Sequence, residues 1–415
     1  MHLSTALYGT SNDEANRHRF IRDLLHDAFP ALRVESIDKM GRNNNHMHLV
    51  HLTRSGKSAV AQSSQQPGTV PFPADPDALP DHLVVRMPNE EGNNTDIDAP
   101  RKVRNEVAAM ALARGTVPVP DVYLWSDEGW TFVVMQYIPT AVELGDLWEK
   151  LSVEQHHILA RNVARILKAI RALPVPEMYG VLNFDADSGA IVVVADGWHT
   201  PGEMYSALVR RQLAAADANT HTRGWREQGL RERIDRFMTD SSPNGLAARA
   251  SRIAGPPTMT HGDLFRSNLL VDPTTLAVVS VLDWELSRVS PPADEYFMSL
   301  AQWHFLFSLS SEDDPNDPME AAKRTALLSG LFPSHVDGIE DWTAAKAMAE
   351  ALEAEDVSRP STIASFRDAA ELYWFAEELN HWFYNLERYW TSSRSEGALD
   401  KGRAALAKNL EGWGF

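Results

Sequence analysis

The sequence predicts an α+β fold with a small antiparallel sheet in an N-terminal lobe and a larger, mainly helical C-terminal lobe. Apolar segments of strand length are concentrated before residue 138, whereas amphipathic helical patterns dominate from Glu143 onward. A chain of 415 residues is long enough for two lobes. We therefore place the lobe boundary between residues 1–138 and residues 139–415.

The composition excludes several classes of protein. The chain has no cysteine, which rules out disulfides, thiolate metal sites and cysteine nucleophiles. Its formal net charge of −18 disfavours nucleic acid as a partner. No apolar run reaches the roughly 18 residues of a membrane span, and no signal-like segment begins the sequence, so we expect a cytoplasmic protein without a membrane partner. The acidic charge is explained by solubility alone, and the functional alternative is that it attracts a cationic substrate.

The first segments predict a helix at residues 14–29 and strands near residues 32–38 and 48–52. Between these strands lies an Asn-rich turn that includes Asn44 and Asn45. Such a turn can expose backbone N–H groups to phosphates, although an ordinary hairpin would use the same residues.

A flexible insertion is expected at residues 53–80, because Ser, Gln, Pro and Gly dominate there. A strand at residues 82–87 follows, with Arg86 as its one fixed charge. A charge inside a Val-rich strand usually has a partner. Glu106, on a predicted helix at residues 100–114, is the natural candidate, although an exposed strand cation is the simpler alternative for Arg86.

Two further strands, at residues 121–125 and 130–137, complete the predicted sheet, which ends at Pro139. The remaining helices are predicted at residues 144–151, 152–173, 201–217, 226–240, 244–253, 294–309, 318–331, 339–355, 362–391 and 398–409. The helix at 362–391 is rich in aromatic residues, most of which suit the core. The others could line a pocket for a cationic organic substrate.

The most specific polar spacing lies between residues 259 and 284. A His-Gly-Asp sequence at 261–263 is followed by Asn268 and then, after an apolar hairpin, by Asp283. Phosphoryl transfer from a nucleotide needs a carboxylate to orient the attacking hydroxyl and oxygen ligands for magnesium. Asp263, Asn268 and Asp283 supply these groups in a suitable order. The hairpin should bring Asn268 and Asp283 close together.

A purely structural turn accounts for only part of this pattern. Asp, Asn and Gly are all turn residues, so Asp263 alone would suit a turn. The full combination with an apolar hairpin is rarer and favours a catalytic site. His261 is a candidate catalytic residue whose more natural role is to orient the loop by hydrogen bonding. The sequence motifs of serine hydrolases, zinc proteases and P-loop enzymes are absent.

The sequence HGDLFRSN at 261–268, followed by LDWE at 282–285, resembles the aminoglycoside phosphotransferase and choline kinase branch of the protein-kinase-like superfamily, in particular its longer fungal-type members. The resemblance extends from about Val34 to Asp294. It implies a bilobal protein-kinase-like fold that binds ATP and Mg²⁺ between its lobes. It also implies that Pro292 and Asp294 support the catalytic loop.

The resemblance implies a role for each candidate residue. Asp263 would be the catalytic base, and Asn268 and Asp283 would be the magnesium ligands. Met135 would lie at the back of the adenine pocket, where the backbone of Gln136 and Ile138 would hydrogen-bond to adenine.

Two features depart from the family pattern. Arg86 replaces the usual strand lysine that holds the α- and β-phosphates, so the geometry of phosphate contact differs. The glycine-rich loop is reduced to Gly41 and the Asn run.

The expected partner is a small hydroxylated molecule, for which an amine or an amino sugar would suit the acidic chain. A nucleotide-binding regulatory protein without activity is an alternative that Arg86 and the short glycine loop favour and Asp263 opposes. A protein kinase fits less well, because His-Gly-Asp replaces His-Arg-Asp, Asp-Trp-Glu replaces Asp-Phe-Gly and no Ala-Pro-Glu follows.

Overall fold

The computed structural model has the predicted α+β architecture, with an antiparallel sheet near the N-terminus and a helical C-terminal region. It describes residues 13–41, 45–55, 66–73, 75–89, 98–194, 197–297, 299–300, 318–332, 342–391, 395 and 397–415. Among these residues, no helix combines the length and the apolar character needed to cross a bilayer.

The N-terminal sheet has five antiparallel strands in the order β1-β2-β3-β5-β4. These strands are β1 (Leu32–Met40), β2 (Asn45–Arg54), β3 (His82–Pro88), β4 (Val122–Ser126) and β5 (Phe132–Gln136). Helix α1 (Glu14–Ala28) covers one face, and its start is capped by Asp13. Helix α2 (Ala99–Ala113) packs on the other face with the main core of the C-terminal region.

Side-chain alternation along the central strands decides which residues face α2. Leu83 and Val85 on β3 join the core under α1, whereas Val84 joins the core that includes α2. Val84 pairs with Met135, and Arg86 pairs with Val133. Arg86 and Met135 therefore lie on the α2 side of the sheet.

A flexible insertion was expected at residues 53–80, and the parts of it that the structure describes are packed. Strand β2 continues to Arg54, and residues 66–73 pack along the sheet. The amide of Val70 donates to Val122 O at 2.8 Å, and the Trp125 indole donates to Pro67 O at 3.0 Å. A few apolar residues anchor this segment despite its polar composition. Residues 56–65 lie outside the described part of the chain.

The C-terminal region contains most of the predicted helices. They are α3 (Leu144–Leu147), α4 (Val153–Arg171), α5 (Pro201–Ala218), α6 (Leu230–Thr239), α7 (Leu246–Ala250), α8 (Pro318–Ser329), α9 (Trp342–Ala354), α10 (Phe366–Leu379), α11 (Glu387–Trp390) and α12 (Ala398–Trp413). Ser152 caps α4 in a capping box with Gln155. Residues 294–296 form one 3₁₀ turn, and most of the helix predicted beyond it lies outside the described residues.

Short strands complete the C-terminal region. They are β6 (Val142–Glu143), β7 (Leu182–Phe184), β8 (Ile191–Val193), β9 (Thr258–Thr260), β10 (Leu269–Val271), β11 (Val278–Val281) and β12 (Arg288–Ser290). Strands β10 and β11 form the predicted hairpin, which β6 extends. Strand β9 pairs antiparallel with β12.

The helix predicted at residues 362–391 is interrupted. Helix α10 ends at Leu379, a 3₁₀ turn follows at Trp382–Asn385, and α11 begins at Glu387. The indole of Trp225 donates to Leu379 O at 2.8 Å, which satisfies one of the carbonyls that a helix end leaves open. This partner is 154 residues away in sequence, so a local aromatic pattern could not reveal the break.

We expect the buried imidazole of His48 to make the protein sensitive to acid. His48 is fully buried on β2, and burial, reinforced by His18, Arg17, His46 and Lys39, lowers the pKa of its imidazole from 6.5 to about 3. Below about pH 6.5 the His48 imidazole is therefore protonated in the unfolded chain but stays neutral in the folded chain, which favours unfolding. The free energy of unfolding that depends on neutral His48 is fully present above pH 6.5 and is lost as the pH falls toward 3.

Replacing His48 by leucine should flatten this dependence. At pH 5 the wild-type protein should have lost about 2 kcal/mol through this group, a loss that His48→Leu removes. Denaturant unfolding at pH 7 and pH 5 measures the difference. The exposed His26→Leu variant is the control and should keep the wild-type dependence. An equal loss in His48→Leu and wild type would contradict the assignment.

Candidate active site

The segment between β9 and β12 carries Asp263 and Asp283 on two tightly constrained turns. Gly262 has φ +79°, and a Cβ atom there would lie 2.6 Å from Leu286 O, so the position admits only glycine. Asp283 follows β11 in the left-handed region with φ +61°. A non-glycine residue in this region is uncommon and is typical of strained functional sites.

Asp263 and Asn268 are directly bonded to each other. The Asn268 Nδ2 atom donates to Asp263 Oδ2 at 2.8 Å and to Asp263 O at 2.7 Å. The amide of Leu282 donates to Asn268 O at 2.8 Å, which holds the start of β10 beside the end of β11. The hairpin therefore brings Asn268 close to Asp283, as the sequence predicted, and the Asn268 side chain binds Asp263.

The carboxyl group of Asp263 has a higher affinity for protons than an exposed aspartate. Burial raises its pKa to about 8, with further contributions from Asp283 and Glu295 and an opposing effect from the Asn268 hydrogen bond. By contrast, the Asp283 side chain is 31 % exposed and lies at the open edge of the site. The two carboxylates therefore differ in their environments: the Asp263 carboxyl is largely buried, whereas Asp283 is partly exposed.

His261 holds the loop through both of its ring nitrogens. Its Nδ1 atom accepts from the amide of Asp263 at 3.2 Å, and its Nε2 atom lies 2.9 Å from Leu282 O. Because Nδ1 accepts, the proton is on Nε2, which donates to that carbonyl. Burial lowers the pKa of the ring and keeps it neutral. This geometry favours the loop-orienting role of His261 over proton transfer.

Glu295 binds the backbone of the His261–Gly262 turn, a contact that the family resemblance suggested for Asp294. Its buried carboxylate accepts from the backbone amides of His261 at 2.7 Å and Gly262 at 3.2 Å. Asp294 instead pairs with Arg288 at 2.9 Å and accepts from the hydroxyl of Tyr205. In this structure the contact with the loop that the resemblance implied for Asp294 is made by the next residue, Glu295.

Arg86 lies at the centre of a cluster of buried carboxylates. Its guanidinium pairs with Glu106, as predicted, and with Glu285, and it lies 3.4 Å from Asp283. Asn45 also contacts it: with the amide oriented to satisfy both groups, its oxygen accepts from Arg86 Nε at 3.2 Å and Nη2 at 2.8 Å. The exposed-cation alternative for Arg86 is excluded, because its side chain is only 3 % exposed.

One face of α2 carries three buried polar residues, Lys102, Asn105 and Glu106. Asn105 donates to Glu285 O at 3.0 Å and to Ser287 O at 2.8 Å. It also accepts from the amide of Leu182 at 2.9 Å. These bonds hold α2 against the segment that follows Asp283.

The ionisable groups on this face have shifted pKa values. Burial raises the pKa of the Glu106 carboxyl to about 7, against the opposing effect of Arg86. Burial, together with Arg86, lowers the pKa of the Lys102 ammonium to about 8. Lys102, Asn105 and Glu285 were not among the predicted site residues, although the α2 residues share a face at helical spacing.

The candidate adenine contacts lie at the end of β5. Met135 is buried on the α2 side of the sheet, and Ile138 follows two residues after the strand ends. The amide of Gln136 already donates to Asp121 O at 2.8 Å, so an adenine contact by its backbone would fall to its carbonyl oxygen. Asn44 lies outside the described residues.

Comparison with known structures identifies the same kinase-like fold. Aminoglycoside phosphotransferase APH(2'')-Ib with ADP aligns with 95 % of this chain and 99 % of its own, at 12 % identity and a TM-score of 0.51. The gentamicin complex of APH(2'')-IIa aligns with 96 % of this chain and 97 % of its own, at 13 % identity and a TM-score of 0.50. An ethanolamine kinase from Plasmodium vivax aligns with 97 % of this chain and 91 % of its own, at 11 % identity and a TM-score of 0.45.

Comparison of sequences gives a family assignment. No curated protein matches the chain. The family model described as the phosphotransferase enzyme family matches residues 77–321, which contain β3, α2 and the whole segment from β9 to β12. Because this match covers more than half of the chain, the protein belongs to the phosphotransferase enzyme family.

Proposed function

We propose that this protein transfers the γ-phosphoryl group of ATP to a hydroxyl of a small molecule. The observation that carries the proposal is the convergence of Asp263, Asn268 and Asp283 beside the Arg86–Glu106 pair. Asp263 orients the hydroxyl and accepts its proton as the oxygen attacks the γ-phosphorus. The bond between that phosphorus and the β–γ bridging oxygen breaks, and ADP leaves with the bridging oxygen.

The donor set at the edge of the site suits Mg²⁺. The amide nitrogen of Asn268 is bonded to Asp263, so its amide oxygen is the atom it can present to a cation. Asp283 adds an accessible carboxylate. The described residues contain no cluster of three or more carboxylate or imidazole groups arranged for a metal. Mg²⁺ in phosphoryl-transfer sites does not need one, because one or two protein oxygens bind it together with water and the phosphates. When bound, the cation would offset charge on the phosphates.

The nucleotide would lie between the two lobes, which we place at residues 1–138 and 139–415. Arg86, held by Glu106, lies 3.4 Å from Asp283, so it would lie beside the phosphate chain. Met135, Gln136 and Ile138 would contact adenine. Asn45, at the start of β2 and in contact with Arg86, would lie beside the phosphates.

The acceptor we propose is a hydroxylated amine or amino sugar. The chain carries a net charge of −18, which attracts cations, and the structural relative APH(2'')-IIa is known in complex with gentamicin. A phosphorylation screen of hydroxylated amines, amino sugars, neutral sugars and alcohols, read by mass spectrometry, tests this class. Phosphorylation of neutral alcohols alone would contradict the cationic acceptor while leaving the transferase activity intact.

A nucleotide-binding regulatory protein is the alternative function. It would need the nucleotide contacts but not a buried carboxylate poised beside Asn268. Turnover of any hydroxylated acceptor in the screen therefore separates the two functions. A protein kinase is disfavoured because the chain has His-Gly-Asp in place of His-Arg-Asp, has Asp-Trp-Glu in place of Asp-Phe-Gly, and lacks Ala-Pro-Glu.

Mg-ATP should stabilise the folded protein. A ligand that binds only the folded state adds about 2.7 kcal/mol at a concentration 100 times its Kd, which raises Tm by several degrees. Differential scanning fluorimetry with ATP, with and without EDTA, measures the shift. Asp283→Asn should reduce the part of the shift that depends on Mg²⁺, whereas Asp185→Asn, on an exposed hairpin turn, should not. No shift at millimolar Mg-ATP would contradict nucleotide binding.

A further inference from the structure

Arg86 has little capacity left for phosphates in this structure. Its guanidinium contacts Glu106 on α2, Glu285 and Asp283 after β11, and Asn45 at the start of β2. A guanidinium has five N–H groups in a rigid planar fork, so these partners fix its direction. Arg86 therefore ties the sheet, α2 and the Asp-Trp-Glu segment together.

Lys102 is a second buried cation in the same cluster. It lies one helical turn before Glu106 on the same face of α2, and its side chain is only 2 % exposed. Its Nζ atom lies 3.4 Å from Glu285 Oε1, while Arg86 contacts Glu285 Oε2. The two cations thus share one carboxylate, one at each oxygen.

The two cations differ in how easily they can redirect a hydrogen bond. Lysine carries a compact charge on a flexible four-carbon chain, so its ammonium can turn to a new anion without displacing the helix. Burying a lysine is costly unless it meets anions. Lys102 contacts Glu285, two residues after Asp283, so an anion that enters beside Asp283 would come within reach of its ammonium.

We propose that Lys102 is a nucleotide-contacting residue whose ammonium binds the phosphate chain of ATP, while Arg86 acts mainly as the tie between Glu106 and Glu285. The proposal rests on the proposed function, because it assumes that ATP is bound beside Asp283. It assigns the phosphate-binding role of the missing strand lysine to a lysine on α2.

Binding of Mg-ATP and of adenosine, measured by isothermal titration calorimetry on the full chain, tests the proposal. Lys102→Met removes the charge and keeps the length of the side chain. It should weaken Mg-ATP binding by roughly 10- to 100-fold and leave adenosine binding within about twofold, because adenosine has no phosphates. Lys102→Arg should retain most of the affinity for Mg-ATP. The matched control is Arg104→Met, which removes a cation of α2 that pairs with Asp127 outside the cluster, and it should bind both ligands as the wild type does.

A double-mutant cycle with Glu285→Gln separates direct contact from an effect through Glu285. If Lys102 contacts the phosphates, Lys102→Met should weaken Mg-ATP binding in the Glu285→Gln background as well. Loss of the Lys102 effect in that background would overturn the proposal, and so would unchanged Mg-ATP binding or equal weakening of Mg-ATP and adenosine. If the wild-type protein binds no Mg-ATP, the proposed function itself fails.

Discussion

Asp263→Asn is expected to lower the rate of phosphoryl transfer by about 10²- to 10⁴-fold while Mg-ATP still binds. The Asn side chain keeps an oxygen that can accept from Asn268 Nδ2, so the loop keeps its shape. It cannot accept the proton of the attacking hydroxyl. Steady-state turnover with an acceptor from the screen, together with Mg-ATP titration, measures both effects.

Loss of activity through unfolding can be separated from loss of the base. The Asp263 carboxyl is buried near Asp283 and Glu295, which disfavour its charge. An uncharged side chain at this position should therefore leave Tm at or above the wild-type value. Asp272→Asn makes the same chemical change on the exposed turn of the β10–β11 hairpin, where an amide oxygen can still accept from Thr274 and Thr275, and it should retain full activity. Full activity in Asp263→Asn would show that another group is the base.

Elements with local signals were predicted well from the sequence. Helix α4 begins after Ser152, whose capping box with Gln155 lies within four residues. The β10–β11 hairpin is marked by two short apolar segments around the turn at Asp272. In both cases the residues that define the element are neighbours in sequence, so a pattern of a few residues contains the necessary information.

Elements that depend on distant partners were predicted poorly. Helix α10 ends where Trp225 binds Leu379 O, and the segment around Val70 is ordered by β4. Neither partner can be identified from the local composition. Packing against a distant surface overrides the local preference in both segments.

The same distinction holds within the candidate site. The hairpin places Asn268 beside Asp283, and the spacing of these residues predicts it. The Arg86–Glu106 pair was predicted because a buried cation needs a partner. Glu285 and Lys102 are 183 residues apart, and their contact becomes visible only when α2 is placed against the segment after β11. A local motif defines the reacting groups, whereas the fold defines the charges around them.

Glu295→Gln is expected to reduce kcat by roughly 10- to 100-fold, because the reacting groups must be held within about 1 Å. One carboxylate oxygen accepts from His261 N and the other from Gly262 N. In the amide, one of these oxygens becomes an NH₂ group that faces a backbone N–H. The loss of a buried hydrogen bond to a charged group costs about 1.5–3 kcal/mol, so Tm should also fall.

Asp294→Asn provides the matched control, because it neutralises the adjacent buried carboxylate without touching the catalytic loop. It weakens the contacts with Arg288 and Tyr205, so it should lower Tm as well. Its kcat below the melting transition should stay within a few-fold of the wild-type value. If both variants lose similar stability but only Glu295→Gln loses kcat, the loss of kcat reflects the position of the loop and not general destabilisation. If Asp294→Asn impaired kcat more than Glu295→Gln, the sequence-based expectation for Asp294 would be correct and the loop-supporting role of Glu295 would be wrong.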